Sequence, residues 1–338
     1  MANLHAYFKK FYGSLQIVSS KKTAIKKSHN AVRELVKAKF NEKHPEFMLR
    51  FWIQGSWKMG TTIRTRDDEC DLDDGVYITP EPDVTSTTVK DWVEEAVEKA
   101  TRVKPKNKNK CIRVLYASGY HVDLPVYVKA NFDKDWEHPK LATRDNGYIE
   151  SDPKELVGWF NGKKRNNEQL VRIISYMKAW SDNAAITMPP GLALTILAAN
   201  NQVKNERDDV ALLETLKAIR MSLNNRFVCI VPATPHDDVL SNFREKKDRI
   251  LEEFDKIIKY GENAINEKNP LKASRYWIHT LGDRFPEAEN IENPDMRLNE
   301  LRNLSNQILS GSAKIDRTGH IQTGNGVTTQ PHRFYGEE

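Results

Sequence analysis

Residues 54–77 read QGSWKMGTTIRTRDDECDLDDGVY, and the fold of the chain is organised around them. The hydrophobic run 47–53 just before them predicts a buried strand. Residues 70–78, with β-branched and aromatic side chains after the acids, predict a second strand. Alternate side chains of a strand share a face, so Asp71 and Asp73 point the same way with Cα atoms roughly 6–7 Å apart.

Paired carboxylates on a rigid element suit hard divalent cations, which prefer oxygen ligands. An Asp-Xaa-Asp sequence alone is more often a solvated strand end, and its neighbours Leu72 and Asp74 face the other way. Two further features favour a metal site. Gly55 and Ser56 follow a strand, where the N–H groups of a helix start can hold a phosphate. A third acid, Asp123, lies in the strand-like run HVDLPVYV.

This order of motifs resembles the DNA polymerase β-like nucleotidyltransferase superfamily. The fuller strings QGS…DLDDGVY and HVDLPVY resemble the bacterial cGAS/DncV-like nucleotidyltransferases (CD-NTases), over about residues 1–310. The resemblance implies an α+β fold, in which a palm of mixed sheet and helices faces an all-helical second lobe across a cleft. It divides the chain into a palm with N-terminal bracing helices (1–150), a helical lobe (151–310) and a flexible C-terminal tail (311–338).

The resemblance also implies the metal chemistry of the site. Asp71 and Asp73 would ligate two Mg²⁺ ions, which Mn²⁺ can replace. Asp123 would hold the ion nearest the attacking hydroxyl and accept its proton.

The phosphate contacts implied by the resemblance come from both lobes. Gly55 and Ser56, supported by Gln54, would hold the β- and γ-phosphates. Lys178, on a predicted helix just before an aromatic residue, would balance the charge of the leaving group. Family members often carry a serine about where this chain has Pro190, and that hydroxyl contact is missing here.

Enzymes of this family make cyclic oligonucleotide signals in anti-phage defence. The resemblance therefore implies a synthase that joins NTPs (ATP, GTP or both, with pyrimidine NTPs also open) into a cyclic di- or trinucleotide and releases pyrophosphate. It implies no requirement for nucleic acid. Two alternatives stay open: a template-independent enzyme that makes linear 2′–5′ oligonucleotides or tails RNA, and a nucleotide-binding module without turnover.

Composition agrees with an ordinary soluble protein. The 338 residues are 29% charged and 39% hydrophobic, with a formal net charge of +5. No apolar run approaches the ~20 residues of a membrane span, and the N-terminus lacks the apolar core of a signal peptide. Three cysteines match no zinc pattern. We therefore expect a cytoplasmic protein.

The remaining pattern is mostly helical. Apolar periodicity predicts helices over 4–19, 22–43, 87–102, 166–183, 207–223, 239–264, 271–282 and 294–310, with a hairpin of strands 111–116 and 120–128 and an irregular loop over 132–148. Asp237 and Asp238 precede a helix, where capping is the expected role.

Three shorter segments leave choices open. The basic run 104–110 is either a solvated loop or a contact for a phosphate backbone. Trp57 and Met59 either touch the donor base or pack in the core. The tail ends in an aromatic-containing segment over 332–336, which is either a chance occurrence or, as the resemblance implies, a site for a regulatory protein.

Overall fold

The computed structural model describes residues 1–134, 137–291, 294–315, 321–322 and 327–328. The helices are α1 (His5–Leu15), α2 (Ser19–Lys43), α3 (Gly55–Met59), α4 (Ser86–Val97), α5 (Pro153–Lys164), α6 (Glu168–Asn183), α7 (Gly191–Asn201), α8 (Asp208–Asn225), α9 (Lys247–Asn266), α10 (Pro270–Leu281) and α11 (Pro294–Leu309), with a 3₁₀ helix over Ser241–Lys246. The strands are β1 (Met48–Gln54), β2 (Cys70–Thr79), β3 (Lys106–Asn107), β4 (Ile112–Tyr116), β5 (Tyr120–Leu124), β6 (Val126–Val128), β7 (Lys140–Ala142), β8 (Tyr148–Glu150), β9 (Lys314–Ile315), β10 (Ile321–Gln322) and β11 (Val327–Thr328).

Strand β2 lies at the centre of a mixed sheet. The strands follow the order β3-β4-β5-β2-β6-β7-β8, and β1 pairs with β2 antiparallel. β5 and β6 run parallel to β2 in one continuous register, which passes the bend at Pro125. Six consecutive side chains at the carboxyl half of β2, from Asp74 to Thr79, are buried, as expected for a strand covered on both faces.

Strand β1 differs from its predicted environment. The run 47–53 predicts a buried strand, but Met48 is 65% exposed, Arg50 is also exposed, and the other residues of β1 up to Ile53 are only half-buried. Its pairing partner among the described residues is β2. The apolar composition therefore reflects one covered face and aromatic packing at an edge, which a run of hydrophobic letters does not distinguish from full burial.

The two N-terminal helices pack on different cores. Phe8 and Phe11 of α1 are fully buried in the helical lobe, where they contact the rings of Tyr176 and Phe285. α2 instead packs on the sheet, with Val32 and Val36 buried in the palm core. The first 43 residues therefore link the two lobes, which form the two walls of the cavity described below.

Two predicted irregular segments contain short strands. Residues 132–148 include β7, and β8 begins at the end of that range, because Leu141 and Ala142 are buried against the sheet. The tail, predicted to be flexible, contributes β9, β10 and β11 to a three-stranded sheet. The segment 332–336 lies outside the described residues. None of the helices in the described ranges is both long and apolar enough to cross a membrane.

Candidate active site

The central position of β2 brings the predicted acids together. In the sheet register Asp73 lies between Gln54 of β1 and Asp123 of β5, and Asp71 lies beside His121. In-register neighbours of adjacent strands point to the same face and lie about 4.8 Å apart. The three predicted carboxylates therefore share one face of the sheet.

Asp73 is held in an environment that opposes its negative charge. Burial, followed by the charges of Asp71 and Asp123, raises the pKa of Asp73 to about 8, although Arg113 and Lys178 act in the opposite direction. Several carboxylates concentrated in a desolvated position create an electrostatic cost that a bound cation relieves. The donor set consists of hard oxygens, so it fits Mg²⁺ or Mn²⁺.

The turn that begins α3 lies directly against Asp73. Gly55 has φ +62°, and a Cβ built on it would lie 2.2 Å from Oδ2 of Asp73. Only glycine combines the left-handed backbone conformation with this close approach. The turn is held by Ser56, whose Oγ lies 2.8 Å from Oγ1 of Thr62, and Gln54 donates to the hydroxyl of Tyr127 at 3.0 Å.

Lys178 of α6 reaches across from the helical lobe to the palm. Its Nζ donates to the carbonyl oxygen of Thr61 at 2.9 Å and lies 3.3 Å from Oγ1 of the same residue. Burial lowers the pKa of Lys178 to about 8, against the opposing effect of Asp71 and Asp73. Lys178 therefore lies on the same side as the carboxylates and the turn that contains Gly55 and Ser56.

Asp123 has two partners that the motif analysis missed. Arg113 of β4 donates to it twice, at 2.7 and 2.6 Å, and Nδ1 of His121 lies 3.1 Å from Oδ1. Burial raises the pKa of Asp123, but the hydrogen bonds from His121 and Arg113 outweigh it and keep that pKa below its ordinary value. A carboxylate with a lowered pKa is a poor proton acceptor. A lowered pKa argues against the predicted role of Asp123 as a proton acceptor, and its role as a metal ligand stays a prediction.

The predicted hairpin could have located Arg113. A tight turn at Ala117–Gly119 pairs Tyr116 with Tyr120, and counting back along both strands pairs Arg113 with Asp123. The signal was therefore present in the spacing between the two strands.

A cavity of about 750 Å³ opens between the two lobes, within the usual range for small-molecule sites. Its lining includes the predicted residues Gln54, Gly55, Ser56, Asp71, Asp73 and Lys178, together with Met59, Gly191 and Asp237. Asp123 is outside this lining and is 5% exposed. Trp57 packs against the palm core instead of lining the cavity.

The start of α7 forms part of the same wall. Pro190 precedes α7, and a Cβ on Gly191 would lie 3.1 Å from Cε of Lys178. The backbone of α7 therefore approaches the lysine stem closely. Asp238 accepts hydrogen bonds from the N–H groups of Cys229 and Leu240. Neither the 3₁₀ helix that begins at Ser241 nor α9 has a side-chain cap, so the predicted capping role is wrong.

In the described part of the chain, the ligand atoms of His138, Asp152 and Glu155 also lie close enough together to hold a metal ion. Each of the three already has hydrogen-bond partners: Asp152 caps α5, Glu155 accepts from the N–H of Thr234, and His138 contacts Asp152 and Thr234. This group is therefore a structural junction between the lobes.

Residues 49–127, which contain the acids and the glycine turn, match the nucleotidyltransferase domain of the cyclic GMP-AMP synthase DncV-like family. This match confirms the resemblance drawn from the QGS and DLDDGVY strings.

Three curated relatives share sequence with the chain. A cyclic GMP-AMP synthase of Escherichia albertii is 29% identical over 197 residues, which cover 53% of this chain and 43% of that protein. A cyclic GMP-AMP synthase of Vibrio cholerae is 24% identical over 309 residues, which cover 72% of this chain and 69% of that protein. Cyclic dinucleotide synthase CdnG of Bradyrhizobium diazoefficiens is 36% identical over 127 residues, which cover 36% of this chain and 30% of that protein. The chain thus spans less than half the length of two of these relatives.

Solved structures confirm the fold. Vibrio cholerae DncV, a cyclic AMP-GMP synthase, superposes with a TM-score of 0.69 at 20% identity, which covers 84% of this chain and 98% of that one. Its complex with the linear intermediate 5′ pppA(3′,5′)pG gives a TM-score of 0.71 over 84% and 97%. The chain therefore has the predicted α+β fold, a palm with a helical second lobe.

Alanine at Gly55 is expected to lower the rate of pyrophosphate release by about 100-fold or more. The added methyl group would displace the carboxylate of Asp73, and a shift of about 1 Å in a catalytic group costs a factor of this size. Gly60→Ala is the matched control. Gly60 also has a positive φ, +76°, but a Cβ there meets nothing within 4 Å.

Pyrophosphate release and Tm should be measured for both glycine variants. Left-handed backbone strain is common to both and costs about 1–3 kcal/mol, and Gly55→Ala should lose more stability because its Cβ also displaces the carboxylate of Asp73. Equal activity of the two variants would contradict the contact between Gly55 and Asp73.

Proposed function

We propose that this protein joins nucleoside triphosphates into a cyclic di- or trinucleotide and releases pyrophosphate. The observation that carries the proposal is the convergence of Asp71, Asp73 and Asp123 beside the Gly55 turn, with Lys178 reaching them from the opposite lobe. Each of these groups serves a different part of a phosphoryl transfer: cation binding, phosphate positioning and charge balance.

The carboxylates fit a divalent metal site. Asp71 and Asp73, together with Asp123, would hold Mg²⁺, with Mn²⁺ as a substitute. When bound, such ions neutralise phosphate charge and favour ionisation of the attacking hydroxyl. The raised pKa of Asp73 supports this assignment, because burial and neighbouring carboxylates leave its charge uncompensated.

The remaining residues orient the triphosphate. The N–H groups at the start of α3 face a ligand placed above Asp73, and the hydroxyl of Ser56 is available to a phosphate once it leaves Thr62. Lys178, which is fixed by Thr61, would balance the charge of the departing pyrophosphate. The helical lobe and the palm together would exclude water from the transferred group.

Arg113 is the counter-ion of Asp123. It neutralises Asp123 through two hydrogen bonds. A cation held by the three carboxylates would supply the same charge compensation. Asp123 therefore has a built-in counter-ion that holds it in place before the site is loaded.

The relatives support the choice of product class. Two are cyclic GMP-AMP synthases, and a solved relative is bound to a linear pppA(3′,5′)pG intermediate. We extend from these to ATP and GTP as substrates, and to a role in cytoplasmic anti-phage defence. The tail after residue 310 is the segment on which a regulatory protein would act.

A product assay tests the proposal. The purified chain is incubated with four labelled NTPs and Mg²⁺ or Mn²⁺, treated with phosphatase and analysed by mass. A cyclic product has no terminal phosphate and survives unchanged, whereas a linear oligonucleotide loses its 5′ triphosphate. A linear product would favour the 2′–5′ or tailing alternative.

The Asp71→Asn, Asp73→Asn double variant provides the blank for this assay. We expect it to release no pyrophosphate. If the native chain released no more than this variant, the protein would be a nucleotide-binding module without turnover.

A further inference from the structure

Lysine occupies every second position in the segment before β4. Lys104, Lys106, Lys108 and Lys110 are all exposed, whereas Pro105, Asn107 and Asn109 between them are half-buried. We call these four lysines the lysine row. Alternate residues of an extended segment lie roughly 6–7 Å apart on one face, so Lys104, Lys106 and Lys108 span about 13 Å. Lys110 follows in the turn between β3 and β4, across which the N–H of Lys108 donates to the carbonyl oxygen of Cys111.

The segment that carries the lysine row is fixed to the palm. Nζ of Lys90, a side chain that is 1% exposed, donates to the carbonyl oxygens of Lys108 and Asn109. Asn107 donates to Glu94 at 2.7 Å. A buried lysine used to satisfy two loop carbonyls holds the row in one conformation, so a ligand would bind without paying to order it.

A second set of hydrogen bonds fixes the same segment from the β7–β8 turn. Oδ1 of Asn109 accepts from the N–H groups of Arg144 and Asp145, and Arg144 also donates to the carbonyl oxygen of Asn107. The row therefore lies on the β3–β4 hairpin at the sheet edge, where its side chains are exposed and its backbone is fixed by these hydrogen bonds.

The positive charge of the lysine row is largely unbalanced. Within the described ranges, Lys104 forms an ion pair with Glu98 at 3.3 Å, and the other three lysines have none. At the far end, Lys110 and Cys111 line the cavity that contains Asp71 and Asp73. The row therefore forms a cationic path from the edge of the sheet to the candidate active site.

We propose that the lysine row binds the sugar–phosphate backbone of a single-stranded nucleic acid. The spacing of Lys104, Lys106 and Lys108 is close to the separation of successive phosphates in an extended single strand, so each of these three lysines can meet one phosphate. Lys110 then carries the positive charge to the lining of the cavity. This surface goes beyond nucleotide joining, and binding to it is measured without turnover.

Fluorescence anisotropy with a labelled 12-nucleotide oligo(U) RNA tests the lysine row on the full chain. The variant is K104E/K106E/K108E, which spares Lys110 because it lines the cavity. The matched control is K259E/K268E/K272E, which makes the same change in net charge at exposed lysines of the helical lobe. Tm should be unchanged in both, since all six side chains are exposed.

We expect the row variant to bind the RNA at least about 30-fold more weakly than the native chain, and the control less than 3-fold. For four phosphate contacts the slope of log K against log[salt] should be about −3, falling to about −1 in the row variant. The same titration with single-stranded DNA shows whether the sugar affects binding. A duplex should bind more weakly than either single strand.

Equal losses in the two triple variants would overturn the proposal, because net charge alone would then explain binding. Tighter binding of the duplex would also overturn it. A row variant that altered only the KM for NTPs, with no oligonucleotide binding by the native chain, would assign the lysines to steering of free triphosphates instead. None of these results depends on whether the product assay detects a cyclic nucleotide.

Discussion

Asp73→Asn is expected to lower pyrophosphate release by about 10³-fold and, at the same time, to raise the Tm of the metal-free protein. The loss of activity follows because an amide is a poor replacement for a carboxylate that holds a divalent cation, whose electrostatic effect is worth several kcal/mol. The gain in stability follows from the raised pKa of Asp73, to about 8.

The pH dependence of this gain has a defined sign. Because the folded protein holds the proton more tightly than the unfolded chain, the side chain stabilises the fold fully only below its unfolded pKa of about 3.9. That contribution is lost as the pH rises toward 8. The Asp73→Asn side chain does not titrate, so the advantage of the variant in unfolding free energy should grow from near zero at pH 4 to several kcal/mol at pH 8.

Thermal unfolding across this pH range, with a chelator present, measures the effect. Activity is measured separately with Mg²⁺ restored. Asp71→Asn is the companion variant, since it removes a predicted metal ligand on the same face of β2. A Tm difference between Asp73→Asn and the native protein that did not change with pH would show that Asp73 is not desolvated as its surroundings indicate.

The arrangement of acids could be predicted because a strand converts sequence spacing directly into geometry. Residues two apart in β2 must share a face, so the pairing of Asp71 with Asp73 needed no tertiary information. The placement of Asp123 beside them depended on strand order, which spacing does not provide; the likeness to a known family supplied it. Gly55 was predictable as a turn residue, but its contact with Asp73 was not.

Other features depend on which surfaces meet. The hydrophobic run in β1 gave no sign that this strand lies at an edge. The irregular composition of residues 132–148 hid the short strand β7, which forms because Leu141 and Ala142 find a place in the sheet. Lys90 has the sequence context of an ordinary helix lysine, and only the fold shows that it is buried beneath the lysine row.

Asp74→Asn is expected to destabilise the protein by about 3–5 kcal/mol, although Asp74 adjoins Asp73 in the sequence. Asp74 points to the opposite face, where its side chain is fully buried against α2. Arg33 donates to it twice at 2.6 Å, and Nδ1 of His29 lies 3.5 Å away. Removing one partner of a buried ion pair leaves the other charge uncompensated, which accounts for a loss of this size.

The pH dependence of Asp74 should be opposite to that of Asp73. Burial raises the pKa of Asp74, but the hydrogen bonds from Arg33 and His29 outweigh it and lower the pKa overall. Its stabilising contribution is therefore complete above the unfolded pKa of about 3.9 and is lost as the pH falls further. The difference in Tm between the native protein and Asp74→Asn should be large at pH 7 and shrink below pH 4.

Arg33→Gln and the double variant with Asp74→Asn complete the measurement. If the ion pair carries the effect, the double variant should lose less stability than the sum of the two single losses, with a coupling of about 1–3 kcal/mol. Activity per folded molecule should stay near the native value at low temperature, because α2 and the cavity lie on opposite faces of β2. A purely additive cycle, or a stable but inactive Asp74→Asn protein, would place Asp74 in the chemistry of the cavity face instead.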